Sequence, residues 1–185
     1  MSGHLEVITG PMYAGKSEEL IRRLSRFEIA KKTVTVLSPD IDKRYGAGHI
    51  FSHNGSSFVA KQIPVEGEDV EINSDILAFD EAQFFEYRWL VGSISDALRE
   101  GYTVIVAGLD KDYRGQPFPG LAMPYLLAMA DTVTKLTAIC QKCGAEATMT
   151  QRLIEGKPAP LDGPTVLVGA NDKYEARCRN CWEAK

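Results

Sequence analysis

The chain has no apolar run approaching the roughly 20 residues of a membrane-spanning helix, and Met1–Gly10 holds nothing like a secretory leader. A cytosolic protein with no membrane partner is expected on both counts. A basic excess is also missing. The 21 Lys and Arg are outnumbered by 25 Asp and Glu, a net charge of −4, whereas a nucleic-acid partner usually leaves a basic footprint. Neither an internal repeat nor a low-complexity tract is present. Only four cysteines occur, and in a reducing compartment they are expected as thiols or metal ligands, not disulfides. What remains is an ordinary globular composition over 185 residues, enough for one medium domain with a small appendage.

One stretch organises the chain. Gly10-Pro11-Met12-Tyr13-Ala14-Gly15-Lys16-Ser17 fits the phosphate-binding pattern G-x-x-x-x-G-K-[ST]. Its flanks supply the context the pattern needs. Glu6-Val7-Ile8-Thr9 before it is β-rich, and Leu20, Ile21, Leu24 and Phe27 after it recur at helical spacing. Gly10 and Gly15 permit the tight turn that exposes backbone N–H groups. The helix N-terminus adds partial positive charge where phosphate oxygens would sit. Lys16 is expected to reach the β- and γ-phosphates of a nucleotide, and the Ser17 hydroxyl to ligate Mg²⁺.

The next segments read as a helix over Lys16–Lys31 and a buried strand over Thr33–Leu37, the β-α-β start of a parallel sheet. Asn54-Gly55, between Ile50–His53 and Ser56–Val59, predicts a hairpin. Ahead of it, Arg44 is either a phosphate contact or a solvated loop arginine. His49 and His53 have no cysteine or carboxylate cluster beside them in sequence, so no metal role is expected for them. Pro64–Asn73 is an acidic, irregular connection.

Asp75-Ile76-Leu77-Ala78-Phe79-Asp80-Glu81 is the second key stretch, an apolar run ending in two acids. Downstream of a P-loop, this is a Walker B strand, apolar throughout because both faces are buried. Asp80 at its carboxyl end is placed to hold Mg²⁺. Glu81 is a second carboxylate, suited to accept a proton from an attacking oxygen. Phe84 and Phe85 either stack on a flat ring or belong to the core. A helix over Trp89–Arg99 and a strand over Tyr102–Ala107 follow. The strand exit, Gly108–Phe118, is suited to line a pocket at the carboxyl edge of the sheet. Leu121–Ala130 reads as a helix with Pro124 in its first turn, and Val133–Ile139 as the next strand.

Cys140-x-x-Cys143 and Cys178-x-x-Cys181 together predict a closed, structural zinc site of four thiolates. The 34 residues between the pairs exceed ordinary zinc-ribbon spacing, so a sizeable excursion is expected, with strands over Ala147–Leu153 and Thr165–Val168 and a turn-rich return through Gly169–Tyr174. The metal would pin both ends of this lasso. The expected architecture is an α/β, RecA-like P-loop domain over residues 1–137, with a parallel sheet and helices on both faces. A small zinc-binding lasso domain would occupy residues 138–185.

These stretches, with Ser52-His53-Asn54-Gly55, Asp80–Phe85, Ala107–Asp110, Pro117-Phe118, Ala130–Lys135 and Tyr174-x-x-x-Cys178-Arg179-x-Cys181, make the chain resemble the type II thymidine kinases, the zinc-containing class of bacteria and animal cytosol. The resemblance implies ATP-dependent phosphorylation of the thymidine 5′-hydroxyl, giving thymidine monophosphate. It implies an ATP site of Gly10, Pro11, Met12, Tyr13, Ala14, Gly15, Lys16 and Ser17, extended by Asp42, Lys43, Arg44, Asp80, Glu81, Ala82 and Gln83. Asp80 would lie on the Mg²⁺ side, and Glu81 would be the general base. The implied thymidine pocket comprises Met12, Phe84, Leu109, Tyr113 and Phe118, covered by Thr165, Val166, Leu167, Val168 and Gly169 of the lasso, with Tyr174 beside it. The lasso is expected to recognise the base largely through backbone groups. A homotetramer inhibited by thymidine triphosphate is implied as well. Tyr113 stands where many members have phenylalanine, so its hydroxyl is expected to add a polar contact. The sequence ends four residues after Cys181, so control through the long tail of vertebrate members is expected to be absent.

Two other functional classes compete with this one. A RecA-like ATPase would use Glu81 to activate water. A zinc-ribbon nucleic-acid module with a nucleotide switch would need a basic surface, and the segment between the cysteine pairs is not notably basic.

Overall fold

The computed structural model describes residues 3–41, 48–52, 54–165 and 173–184. Its main sheet is built from β1 (His4–Thr9), β2 (Val34–Pro39), β5 (Lys61–Ile63), β6 (Ile76–Phe79), β7 (Thr103–Gly108) and β8 (Thr132–Lys135), in the order β5-β2-β6-β7-β1-β8. Every neighbouring pair is parallel. Between β2 and β5 lies an antiparallel hairpin of β3 (His49–Phe51) and β4 (Ser57–Val59).

Side chains alternate between the two faces of a strand, and here both faces are apolar. Ile8, Val36, Ala78, Ile105 and Ala107 pack against Leu20, Ile21 and Leu24 of α1 (Lys16–Ile29). On the other face, Leu5, Val7, Leu77, Phe79, Val104 and Val106 meet α2 (Tyr87–Arg99) through Leu90, Ile94 and Ala97, and α3 (Ala122–Met129) through Ala122, Met123 and Leu126. This is the parallel sheet with helices on both faces that the apolar strand runs imply.

Local details depart from the sequence expectation for identifiable reasons. Helix α2 begins at Tyr87 rather than Trp89 because the Glu86 carboxylate accepts the Trp89 N–H at 2.9 Å and caps the first turn. The hairpin pairs Phe51 with Ser57, leaving a five-residue loop where a two-residue turn was expected. The expected strand over Val133–Ile139 is two strands. After β8 the Leu136 N–H donates to Thr9 O at 2.8 Å, and the chain then leaves the sheet to form β9 (Ala138–Ile139), paired with β10 (Glu146–Ala147).

Beyond it lies a three-stranded antiparallel sheet of β11 (Met149–Ile154), β12 (Lys157–Pro158) and β13 (Lys173–Arg177), ordered β12-β11-β13. The return segment thus becomes a strand from Lys173 onward, because it pairs along β11 from Leu153 to Met149. Of the expected strand over Thr165–Val168, Thr165 lies in a bend and the rest is outside the described residues. No helix among the described residues is long and apolar enough to cross a membrane.

Candidate active site and cysteine centre

The P-loop turns back over the end of β1. Gly10 has φ +145°, and a Cβ there would meet the Leu136 carbonyl oxygen at 2.5 Å, so both conformation and space call for glycine. Gly15, at φ +79°, precedes the first turn of α1. The Lys16 side chain is buried and its ammonium donates to Pro11 O at 2.9 Å. Burial pulls its pKa below the ordinary 10.5, while the charges of Glu81, Asp80 and Asp110 oppose that shift.

Asp80 leaves β6 beside this loop. Its Oδ1 accepts the Ser17 hydroxyl at 3.3 Å and the Glu81 N–H at 3.0 Å. The P-loop hydroxyl and the strand-end carboxylate therefore meet, as one Mg²⁺ site would require. Burial and the neighbouring Glu81 charge push Asp80 up to about 7, against the Ser17 and Glu81 hydrogen bonds and the Lys16 charge. A buried carboxylate raised by a neighbouring negative charge is one whose ionised form a bound cation would stabilise.

Glu81 sits in the left-handed region, at φ 51° and ψ 38°, an uncommon conformation for a side chain of this kind. It opens a short 3-10 turn, Ala82–Phe84. Within that turn Ala82 is fully buried, and Gln83 is buried with its side chain engaged with Glu81 and Leu109. Phe85 belongs to the core, whereas Phe84 meets Phe118 edge-on at 5.8 Å between ring centroids. Phe118, Leu109 and Tyr113 share the loop after β7, so this loop and the 3-10 turn bring four pocket candidates to one edge of the sheet.

Tyr113 is almost wholly buried. The Arg114 and Arg152 guanidinium groups lie 5.2 and 5.1 Å from its ring centroid. Its hydroxyl lies 3.0 Å from Pro160 O and 3.1 Å from Gly163 O, so the polar contact expected of this tyrosine goes to the base of the lasso. Arg114 continues the tie through Thr165 Oγ1 at 3.2 Å, and Arg152 through Pro164 O at 2.8 Å. Met12 N donates to Thr150 Oγ1 at 3.1 Å, which joins the P-loop directly to β11. Tyr174 stands opposite Arg152 in the β11–β13 register.

The four cysteine sulfurs all lie within 4.8 Å of one another. Cys143 Sγ and Cys178 Sγ are 3.7 Å apart, close to the ~3.8 Å edge of a tetrahedron with ~2.3 Å zinc–sulfur bonds. Burial opposes ionisation of Cys140, but the backbone N–H groups of Cys178, Lys142 and Cys143 outweigh it and bring the thiol down to about 6. Hydrogen bonding with Cys143 and Cys178, followed by burial, pushes Cys181 up to about 12. The donor set and its size fit a closed zinc site. Ala14 of the P-loop packs against the core of this centre.

Two further residues of the singled-out stretches make contacts that only the fold reveals. Asp110 is buried at the exit of β7, where Lys111 and Lys135 each donate to its Oδ2 at 2.7 Å. Burial works against its charge, but these two lysines hold it below its ordinary pKa. Its position at a strand's carboxyl end was the available clue. Asn54 reaches Glu18 Oε1 at 2.6 Å and ties the hairpin to α1 one residue past Ser17. Asp42, Lys43, Arg44, His53, Val166, Leu167, Val168 and Gly169 lie outside the described residues.

The thymidine kinase family model matches residues 3–182, a span that takes in the P-loop, the Asp80-Glu81 strand exit and both cysteine pairs. The chain therefore belongs to the thymidine kinase family.

Proposed function

We propose that this chain moves the γ-phosphoryl group of ATP to the 5′-hydroxyl of thymidine by positioning and electrostatics, with one proton transfer to a side chain. The reading is carried by the convergence of Lys16, Ser17, Asp80 and Glu81 at the carboxyl edge of one sheet, in a chain of this family. Backbone N–H groups of residues 13–17 cradle the phosphates, and the Lys16 ammonium turns from Pro11 O towards them. Ser17 and Asp80 would hold Mg²⁺, which when bound would neutralise phosphate charge. Glu81 accepts the proton of the 5′-hydroxyl as the new P–O bond forms.

Met12, Leu109, Phe84, Tyr113 and Phe118 shape the nucleoside pocket, closed by residues 165–169 with Tyr174 alongside. Asp42, Lys43 and Arg44 extend the phosphate site. The four cysteines would hold a structural Zn²⁺ that cross-links the C-terminal unit and takes no part in the chemistry. The break between β8 and β9 supports a division into a kinase domain over 1–137 and a zinc-held lasso domain over 138–185. The family resemblance supports a cytoplasmic homotetramer inhibited by thymidine triphosphate.

The test is ATP turnover with and without nucleosides. Thymidine should drive ADP release and thymidine monophosphate formation, while single-stranded DNA should do neither. Rapid ATP hydrolysis without nucleoside would replace this reading with the ATPase one.

A further inference from the structure

A general base works only if its carboxylate is held within hydrogen-bond reach of the proton it takes. Glu81 follows a buried strand in a left-handed backbone conformation, and its side chain is only partly buried. Among the described residues, one hydrogen bond to a side chain fixes its carboxylate: Gln83 Nε2 donates to Glu81 Oε2 at 2.5 Å. Gln83 is itself fixed, because Leu109 N donates to Gln83 Oε1 at 3.0 Å. The amide orientation follows from chemistry alone. A backbone N–H can only donate, so it must face Oε1, and an ionised carboxylate can only accept, so it must face Nε2.

The space around this relay is tight. Gln83 is 5% exposed. A Cβ added to Gly108, which ends β7, would meet Gln83 Oε1 at 2.9 Å and Met123 Sδ at 2.8 Å. Both contacts are ends of flexible side chains. The absence of a Cβ at Gly108 is thus what lets the amide lie against the strand and reach the Leu109 N–H.

We propose that Gln83 is a positioning residue for phosphoryl transfer, which hangs the Glu81 carboxylate from the Leu109 N–H and leaves Glu81 Oε1 to face the nucleoside hydroxyl. The proposal rests on Glu81 being the base. Both ends of the Gln83 amide are engaged, on Leu109 N–H and Glu81 Oε2, so in this proposal it acts by setting where Glu81 stands, in place of the nucleotide contact that the resemblance implied for it. Because Leu109 also belongs to the nucleoside pocket, the base and the pocket wall share one anchor.

The experiment is a double-mutant cycle in steady-state kinetics on the full-length, zinc-loaded protein. Gln83→Met keeps the length of the side chain and removes both hydrogen bonds. It should lower kcat by about 10- to 100-fold, the range for losing a hydrogen bond to a charged group. KM for ATP and for thymidine should stay within about 3-fold, because the bound substrates are gripped elsewhere. In a Glu81→Gln background the same substitution should change kcat by less than about 2-fold, since a residue acting only through Glu81 has nothing left to act on. Gly108→Ala displaces the amide without altering it and should reproduce the kcat loss in wild type and its absence in Glu81→Gln.

Equal losses in both backgrounds would overturn the proposal in favour of general structural damage. A raised KM for ATP with kcat intact would make Gln83 a nucleotide contact instead. Unchanged kcat in both Gln83→Met and Gly108→Ala would also overturn it. If Glu81→Gln alone left kcat at the wild-type value, the base assignment would fail first, and that outcome is distinguishable from the others.

Discussion

Around the P-loop, Leu, Ile, Val, Ala and Phe side chains close both faces of a parallel sheet. The unit that carries the cysteines has instead a core of Ala138, Cys140, Ala147 and Ala176. It also buries Thr150, Gln151, Arg152 and Glu175. The first region is held by apolar area, at about 25 cal/mol per Å² removed from water. The second has less such area, with Met149, Leu153 and Ala159 beside that core, and adds polar ties and four clustered sulfurs that could hold a cation. Among the described residues, contacts between the two regions include Met12 N on Thr150, Ala14 on the cysteine core, Tyr113 with Arg114 on the lasso base, Arg152 on the Tyr113 ring and Trp182 Nε1 on Tyr113 O. The comparison teaches a division of labour. On the proposed function, phosphates would be met by the part built on an apolar core, and the nucleoside would be enclosed by the part that a metal would complete.

The sharpest way to break that division is at Glu81, which stands at the exit of the apolar sheet yet, on the proposed mechanism, would serve the nucleoside. Glu81→Gln preserves shape and removes the basic carboxylate. It should lower kcat by about 10²–10⁴-fold while calorimetry still finds both ATP and thymidine bound. Near-wild-type turnover would take Glu81 out of the mechanism.

Selection among nucleosides probes the enclosed side alone. A pocket closed by packed aromatics and backbone groups should reject purines strongly on size. One methyl is worth about 1–3 kcal/mol, so deoxyuridine should trail thymidine only moderately. Comparable kcat/KM for deoxyguanosine and thymidine would refute a fitted pyrimidine pocket.

Tyr113→Phe removes a single hydroxyl from the seam between the regions. A buried hydrogen bond contributes about 0.5–1.5 kcal/mol net, so the thymidine KM should rise by about 2- to 12-fold with the ATP KM unmoved. An equal rise in both would show that the lasso tie is not specific to the nucleoside side.

The smallest effect concerns stability of the apolar region. Hydrogen bonds from Arg22 and then Arg23, against some burial, hold Glu19 down to about 2 from an ordinary 4.5. A depressed carboxylate contributes stability above its unfolded pKa and loses it as pH falls through the folded one. Thermal melts should therefore decline between pH 4.5 and about 2, and Glu19→Gln should make that decline shallower. An unchanged slope would remove this ion pair from the account.

The P-loop, the Asp80-Glu81 exit and the cysteine pairs were readable because each is a local pattern with a mechanism attached. The parallel sheet was readable because its strands are apolar on both faces. The short strands β5, β12 and β13 were not, since their polar residues take strand form only by pairing with distant segments. Thr150 on Met12 spans 138 positions and Tyr113 on Gly163 spans 50. No local periodicity encodes such contacts. The tyrosine at position 113 predicts an added polar contact, but its partners in the lasso base emerge only from the fold.

The division of labour is tested most directly by titrating thymidine and a non-hydrolysable ATP analogue separately into wild type and Cys143→Ser, with zinc measured in both. Wild type should hold about one zinc per chain. The variant should lose metal and bind thymidine at least about 10-fold more weakly, a cost of roughly 1.4 kcal/mol. Its affinity for the ATP analogue should stay within about 3-fold, well under 1 kcal/mol. Equal weakening of both ligands, or full thymidine affinity without the metal, would contradict the account.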